Sequence, residues 1–305
     1  MNRLAAGAVA VSCGIAGAAL YLAIVLGSPG ALILVYLTQL PLFAAGLWLG
    51  AGAAVVAGAA ATLMLFAASD LLASAMFAAL NAVPVALLVR QALLARQRED
   101  GVTVWYPPGL LTAWLTAFAL VGLGTAIAVL GGPAEMQAQL RLIVETALQR
   151  LPYPTNPEMT GIADGLAVVI PGIVAASWMV MAAVNGILAQ GLLTRFGLNW
   201  RPAPDPAALE LPLWIAFALA IGSGLTLFPG GSRFVGINMM VALSVPFSLS
   251  GLAVIHAGVR RLKHPRAALI VFYIAAALFG WPLFVAAALG LFETCFGLRR
   301  RLQTR

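Results

Sequence analysis

Long apolar runs follow one another along the chain, separated by short polar or glycine- and proline-rich breaks. A transmembrane helix needs about 20 mostly apolar residues, and most of these runs have that length. The pattern therefore predicts an all-α fold, a polytopic membrane helix bundle with eight full spans before the last apolar run. The predicted spans cover residues 4–27, 31–49, 51–68, 71–94, 109–130, 170–195, 211–228 and 234–259.

We predict one integral membrane domain over residues 1–305, because no polar segment is long enough to form a soluble domain. Its predicted parts are the first four helices (1–95), a cytoplasmic loop (96–108), the fifth helix (109–131), an outer amphipathic segment (132–160) and the remaining helices (161–305). Within the outer segment, apolar and polar residues alternate at helical spacing from Pro133 to Leu151, which is typical of a helix lying on a membrane surface.

The last apolar run, from Ala267 to Leu298, is too long for one straight span and too short for two. Arginine clusters favour cytoplasmic loops, and those near residues 3, 90–98, 195–201 and 260–266 fit an eight-span topology with a cytoplasmic N-terminus. We predict two short helices folding back near Trp281-Pro282, which also keeps the C-terminal arginines cytoplasmic. A single kinked span is the alternative.

The stretch from Leu40 to Gly58 has no charge and carries a small residue at every fourth position. Small residues at this spacing let membrane helices approach closely. We predict a tight turn at Gly50-Ala51-Gly52 and four helix-packing residues: Gly46, Gly50, Ala54 and Gly58.

Composition strengthens the membrane assignment. Hydrophobic residues make up 62% of the chain and charged residues 9%, against about 45–50% and about 25% in soluble proteins. The net charge of +7 is scattered over short loops, so it indicates membrane topology and predicts no nucleic-acid partner.

No catalytic pattern is present. The chain lacks GxxxxGK[ST], HExxH and GxSxG, and it has only two histidines. We therefore predict that it is not an enzyme and that it has no cofactor and no catalytic or metal-binding residues.

Four ionisable residues lie at or near membrane depth: Asp70, Asp164, His256 and Glu293. We expect the two aspartates to reach water or cap a helix, and Glu293 to pair with a basic neighbour such as Arg299. The chain has no series of deep acids such as a proton-driven pump uses.

Uncharged polar residues within the spans suggest a small-ligand pocket between helices. The candidate pocket residues are Asn81, Ser177, Trp178, Asn185, Asn238 and His256. Interhelical hydrogen bonding, worth about 0.6 kcal/mol per bond, is the alternative.

Several segments resemble the YybS-like bacterial membrane proteins, classed as domain of unknown function 2232. The resemblance rests on Ser177-Trp178 with Asn185, on Trp105-Tyr106-Pro107, on GLAVIH ending at His256, and on the ending from Gly290 to Arg301. It covers nearly the whole chain and implies a multi-pass protein of the bacterial inner membrane. It implies no specific activity, and Glu293 stands where the family often has aspartate.

A weaker likeness links the opening helices to the substrate-binding S components of energy-coupling-factor transporters. It rests on Leu40-Pro41, the glycines after it, Asp70 and Asn81. Such subunits borrow ATPases from partner chains, which would account for the missing phosphate loop, although they usually have about six helices.

Two functional hypotheses follow. In the first, the protein binds a small-molecule solute as a transporter-like subunit energised by partner membrane or ATPase chains. In the second, it is a non-transport scaffold or assembly protein of the cell envelope, in contact with the lipid bilayer and other proteins. A membrane-embedded enzyme ranks third.

Overall fold

The computed structural model describes residues 2–26, 29–150, 157–260 and 262–299. It is almost entirely helical and confirms the predicted polytopic helix bundle. In the first half of the chain the helices are α1 (Arg3–Leu22), α2 (Pro29–Tyr36), α3 (Leu40–Leu49), α4 (Ala51–Ala68), α5 (Leu71–Phe77), α6 (Val83–Ala92), α7 (Pro108–Val129) and α8 (Pro133–Gln149). In the second half they are α9 (Pro157–Arg195), α10 (Trp214–Leu225), α11 (Gly231–Val259), α12 (Pro265–Phe279) and α13 (Trp281–Phe296).

Seven helices or helix pairs within the described residues are long and apolar enough to cross a membrane. The bent pair α12 and α13 would make an eighth crossing if it counts as one span. Helix α10 has only 12 residues, so it is about 18 Å long and falls short of the roughly 30 Å hydrocarbon layer. The prediction of a full span at 211–228 is therefore wrong in length.

The last apolar run breaks where the sequence indicated. The chain bends by 116° between α12 and α13, and Gly280 at the bend has a φ of +69°. Because few residues other than glycine adopt this backbone conformation, Gly280 allows the sharp change of direction. The fold thus contains the two short helices predicted for this run.

Three predictions of local structure need correction. The predicted second span is broken into α2 and α3, and the predicted sixth span, 170–195, is the second part of a single 39-residue helix, α9. The predicted loop holds a two-stranded antiparallel hairpin, β1 (Ala95–Gln97) and β2 (Thr103–Trp105).

Contacts along the chain divide it into two compact units. Unit 1 comprises Met1–Leu115 and Val180–Asp205, and unit 2 comprises Thr116–Met179 and Pro206–Arg305. Within unit 1, α4 packs against α1, α3 and α6. Within unit 2, α11 packs against α10 and α13.

Arg201 anchors the hairpin in unit 1. Its guanidinium donates to the carbonyl of Ala92 at the end of α6 (3.0 Å) and to that of Tyr106 just after β2 (2.8 Å). Burial lowers the pKa of Arg201 below its ordinary value. The carbonyl end of α6 carries partial negative charge, which offsets the cost of burying this cation.

Candidate functional site

The α-helix is interrupted between α2 and α3, near the middle of the candidate span Gly30–Leu49. The N–H groups of Leu37 and Thr38 donate to carbonyls three residues back, as in a tightened turn. Pro41 explains the break, because its ring has no N–H to donate and clashes with the carbonyl four residues earlier, that of Leu37. We call residues 37–39 the polar turn.

A second interruption belongs to the same unit. Helices α5 and α6 are joined by a π-helical turn at Ala78–Ala82, and Pro84 follows it. Pro84 has no N–H for the Leu80 carbonyl, and the side chain of Gln39 donates to that carbonyl from Nε2 (3.4 Å). The same Nε2 donates to Oδ1 of Asn81 (3.1 Å). Gln39 therefore joins the two interruptions.

Helix α9 supplies the third side of this site. Asn185 Nδ2 donates to the Tyr36 carbonyl at the end of α2 (2.6 Å) and to the Met181 carbonyl one turn back in α9 (2.7 Å). The polar turn is thus held between the π-helical turn and α9. We call Thr38, Gln39, Asn81 and Asn185 the polar-turn cluster.

All four members of the polar-turn cluster are buried, with exposed fractions between 0% and 6%. Three of their oxygens have no hydrogen-bond partner among the described residues: Thr38 Oγ1, Gln39 Oε1 and Asn185 Oδ1. A buried polar atom without a partner costs about 1–3 kcal/mol, so native proteins keep few of them. Three on neighbouring elements indicate capacity to accept hydrogen bonds from a bound group.

The cluster is electrically neutral. Between residues 4 and 89 Asp70 is the only Asp, Glu, Lys, Arg or His residue. It is exposed and caps the start of α5, where its Oδ1 accepts from the Ala73 N–H (2.8 Å). This confirms the expectation for Asp70. The amide nitrogens of Gln39 and Asn185 already donate to protein oxygens. What remains unused is the acceptor capacity of two amide oxygens, together with the Thr38 hydroxyl, which can accept or donate.

Asn238, another predicted pocket residue, has a different environment in unit 2. Pro171 interrupts the hydrogen bonds inside α9. Next to it, the Asn238 amide lies between the Gly172 N–H and the Val168 carbonyl and bonds to both. Its Oδ1 accepts from the Gly172 N–H (2.6 Å), and its Nδ2 donates to the carbonyls of Val168 and Phe234 (2.8 Å each). These bonds support interhelical hydrogen bonding for Asn238.

The other predicted pocket residues also lie in unit 2. Ser177 and Trp178 are half-buried on α9. His256 Nδ1 lies 2.8 Å from the Leu252 carbonyl, and Nε2 lies 3.5 Å from the Tyr273 hydroxyl on α12. Of the six candidates, Asn81 and Asn185 are brought together at the polar-turn cluster. A ligand pocket at the remaining four stays a prediction.

Thr38 and Gln39 were missed by sequence reasoning. They are adjacent polar residues within an apolar span, three and two positions before Pro41. A proline just after a polar pair, in a run otherwise long enough to cross the membrane, is the signal that could have found them.

Two of the predicted packing glycines lie in tight helix contacts. A Cβ atom on Gly46 would lie 2.7 Å from the Ala54 Cβ, and one on Gly58 would lie 2.8 Å from the Ala82 Cβ. Ala54 thus also lies in a contact. Gly50 does not, because open space surrounds it; with a φ of +102° it forms the turn between α3 and α4.

Unit 2 has a charged cavity at its C-terminal end, with a volume of about 440 Å³. Its lining includes Glu210, Glu293, Cys295 and Arg299. Both Glu293 oxygens accept from Arg299, one from the side-chain Nε (2.8 Å) and one from the backbone N–H (2.9 Å). Arg299 also donates to the Leu209 carbonyl (2.6 Å). The predicted pairing of Glu293 is confirmed.

The remaining acid, Asp164, lies 3.1 Å from Arg141 of α8, which also pairs with Glu145 at 2.8 Å. The Arg141 pKa is raised, first by the hydrogen bond to Glu145 and then by the two negative charges.

Among the described residues, no group of three or more His, Cys, Asp or Glu side chains is placed to hold a metal ion.

Comparison with known families gives one match. The profile of a family described as "Predicted membrane protein (DUF2232)" matches residues 15–294. The chain belongs to this family. The match covers both units and agrees with the resemblance noted from GLAVIH and the C-terminal segment. No curated protein and no solved structure matches the chain.

Proposed function

We propose that this DUF2232 protein is a solute-binding, transporter-like membrane subunit and that its ligand binds at the polar-turn cluster. The observation that carries the proposal is the set of three buried, unpartnered oxygens beside two interrupted helices. Interrupted helices at membrane depth are tolerated where they are buried or line a cavity, and in many transporters they form the substrate site.

The proposal includes an external energy source. The sequence has no phosphate loop, and the cluster contains no acid that could carry a proton. Partner membrane or ATPase subunits would therefore supply the energy, and the protein would not itself be an enzyme. The proposal places the protein in the bacterial inner membrane, with its N-terminus in the cytoplasm because arginines favour cytoplasmic loops.

The test is thermal unfolding of the purified full chain in detergent, with a panel of vitamins, amino acids and amines. We expect at least one solute to raise Tm, because a ligand that binds only the folded state stabilises it. The rise should be lost in Thr38→Val and Gln39→Met. It should remain in Ser250→Ala, because Ser250 Oγ is equally buried and has no partner among the described residues, but lies on α11 of unit 2, outside the polar-turn cluster.

The alternative is a non-transport scaffold or assembly protein. It is favoured by α12, an apolar helix on which no residue is buried. Such a surface fits lipid or another membrane protein. If no solute changes Tm, and substitutions on α12 remove a co-purifying membrane protein, the scaffold function is supported and the solute-binding proposal fails.

A further inference from the structure

The polar-turn cluster also restricts the chemistry of what it binds. Its unpartnered atoms are one hydroxyl oxygen and two amide carbonyl oxygens, on Thr38, Gln39 and Asn185. Amide oxygens only accept hydrogen bonds or coordinate cations. The Thr38 hydroxyl could donate one hydrogen bond to a carboxylate or phosphate, but the two amide oxygens would repel such a ligand. The complementary ligand is a cation or a group rich in N–H donors.

The charge of the ligand can be argued from the same surroundings. Ca²⁺ sites normally include carboxylates, and zinc takes Cys, His or carboxylate ligands. The spans that form the cluster provide none of these side chains around the polar turn. Uncharged oxygens suit a cation of single charge, whose desolvation they can offset without a counter-ion.

The broken helix adds to this preference. Helix α2 ends at Tyr36, and the carbonyl end of a helix carries partial negative charge. Hydrogen bonds from Leu37, Thr38 and Asn185 to its last three carbonyls reduce this charge without removing it. Helix α3 begins at the same turn with its positive end, but the Leu40 N–H already donates to the Leu37 carbonyl and Pro41 has no N–H. Two of the N–H groups that would repel a cation are therefore removed.

We propose that Thr38, Gln39 and Asn185 form a binding site for a monovalent cation, either a dehydrated alkali ion or an ammonium group. The proposal deepens the proposed function, since it places the cation at the same turn. An alkali ion and an ammonium group share the need for several oxygen acceptors, and the experiment separates the two sources.

The test measures Tm of the purified full chain in chloride salts of Na⁺, K⁺, NH₄⁺ and choline at constant ionic strength. We expect at least one of the three small cations to give a saturable rise of roughly 2–4 °C over choline. A response to Na⁺ or K⁺ identifies an alkali-ion site. A response to NH₄⁺ alone identifies a site for an ammonium group.

Variants assign any response to the cluster. The rise should vanish in Thr38→Val and Gln39→Met, persist in Thr38→Ser, which keeps the hydroxyl, and persist in Ser250→Ala. Equal Tm values in all four salts would overturn the proposal, as would a rise that survives in both Thr38→Val and Gln39→Met. Whether the protein binds a small cation is decided by the Tm values of the wild-type protein in the four salts, even if a variant fails to fold.

The outcomes also separate this inference from the proposed function. A neutral organic solute that stabilises the protein equally in choline and sodium salts, and fails to do so in Thr38→Val, would support solute binding and overturn the cation site. A cation response without any solute response would support the cation site alone.

Discussion

Prolines interrupt helices in both units, and the two units deal with the interruption in opposite ways. In unit 2, the Asn238 amide fits between the Gly172 N–H and the Val168 carbonyl beside Pro171, and each of its polar atoms has a partner. In unit 1, Gln39 joins two interruptions through its nitrogen, while its oxygen has no partner among the described residues.

The contrast separates two uses of the same residue types. A buried amide whose donors and acceptors are all used stabilises helix packing and has nothing left for a ligand. A buried amide with its oxygen unused weakens packing, and a protein tolerates that cost most readily at a functional site. The polar residues of unit 1 are therefore better binding candidates than Asn238, although asparagine occurs in both.

The largest effect should come from the helix contact at the centre of unit 2. A Cβ atom on Gly251 of α11 would overlap the Ala286 carbonyl oxygen of α13, so the backbones touch. We expect Gly251→Leu to give no folded protein, because two helices would have to separate. Gly258→Ala on the same helix is the control, since nothing lies near that position. Monodisperse Gly251→Leu on size exclusion would contradict the contact.

The next effect concerns the buried ion pair. Glu293→Gln removes the carboxylate that accepts from Arg299, whose side chain is only 7% exposed. Breaking a buried pair on one side costs about 3–5 kcal/mol, and thermal unfolding should show the loss. The double variant Glu293→Gln, Arg299→Met should recover part of it. A wild-type Tm in the single variant would show that the pair contributes little to unit 2.

These features differ in how far the sequence could predict them. Helices α4, α7 and α8 match their predicted bounds closely, because apolar length and helical periodicity are local properties. The pair Glu293 and Arg299 could also be predicted, since Glu293 lies in the last turn of α13 and Arg299 only three residues beyond its end. Asp70 could be read as a cap for the same local reason.

The polar-turn cluster could be predicted only in part. Asn81 and Asn185 stand out as polar residues in apolar spans, but the hydrogen bond between Gln39 and Asn81 joins residues 42 positions apart. Nothing local distinguishes Asn185 from Asn238. The two residues differ in whether a neighbouring helix supplies an N–H group that donates to the amide oxygen, and that depends on tertiary packing.

Asn238→Leu tests unit 2, where the buried amide has a hydrogen-bond partner for each of its polar atoms. The change removes three hydrogen bonds and leaves the Gly172 N–H and the Val168 carbonyl without their side-chain partner. We expect a loss of about 2 kcal/mol in unfolding free energy, as a sum over bonds of the usual size in membrane proteins. Denaturant unfolding in mixed micelles would measure it. An unchanged midpoint would mean that the Pro171 interruption tolerates loss of the bridge.

Thr38→Val tests unit 1, where the buried hydroxyl has no partner among the described residues. It should have the smallest effect on the unfolding free energy, and it should raise this energy rather than lower it. Valine has nearly the shape of threonine, and Thr38 Oγ1 has no partner among the described residues to lose. Removing an unpartnered buried hydroxyl should raise the unfolding free energy by up to about 1 kcal/mol in ligand-free protein. The same denaturant series measures it, with Thr62→Val as the control, because the Thr62 hydroxyl donates to the Gly58 carbonyl (2.9 Å) within regular α4. If Thr38→Val destabilises the ligand-free protein more than Thr62→Val does, the Thr38 hydroxyl has a structural partner, and the two units do not differ in how they use buried polar groups.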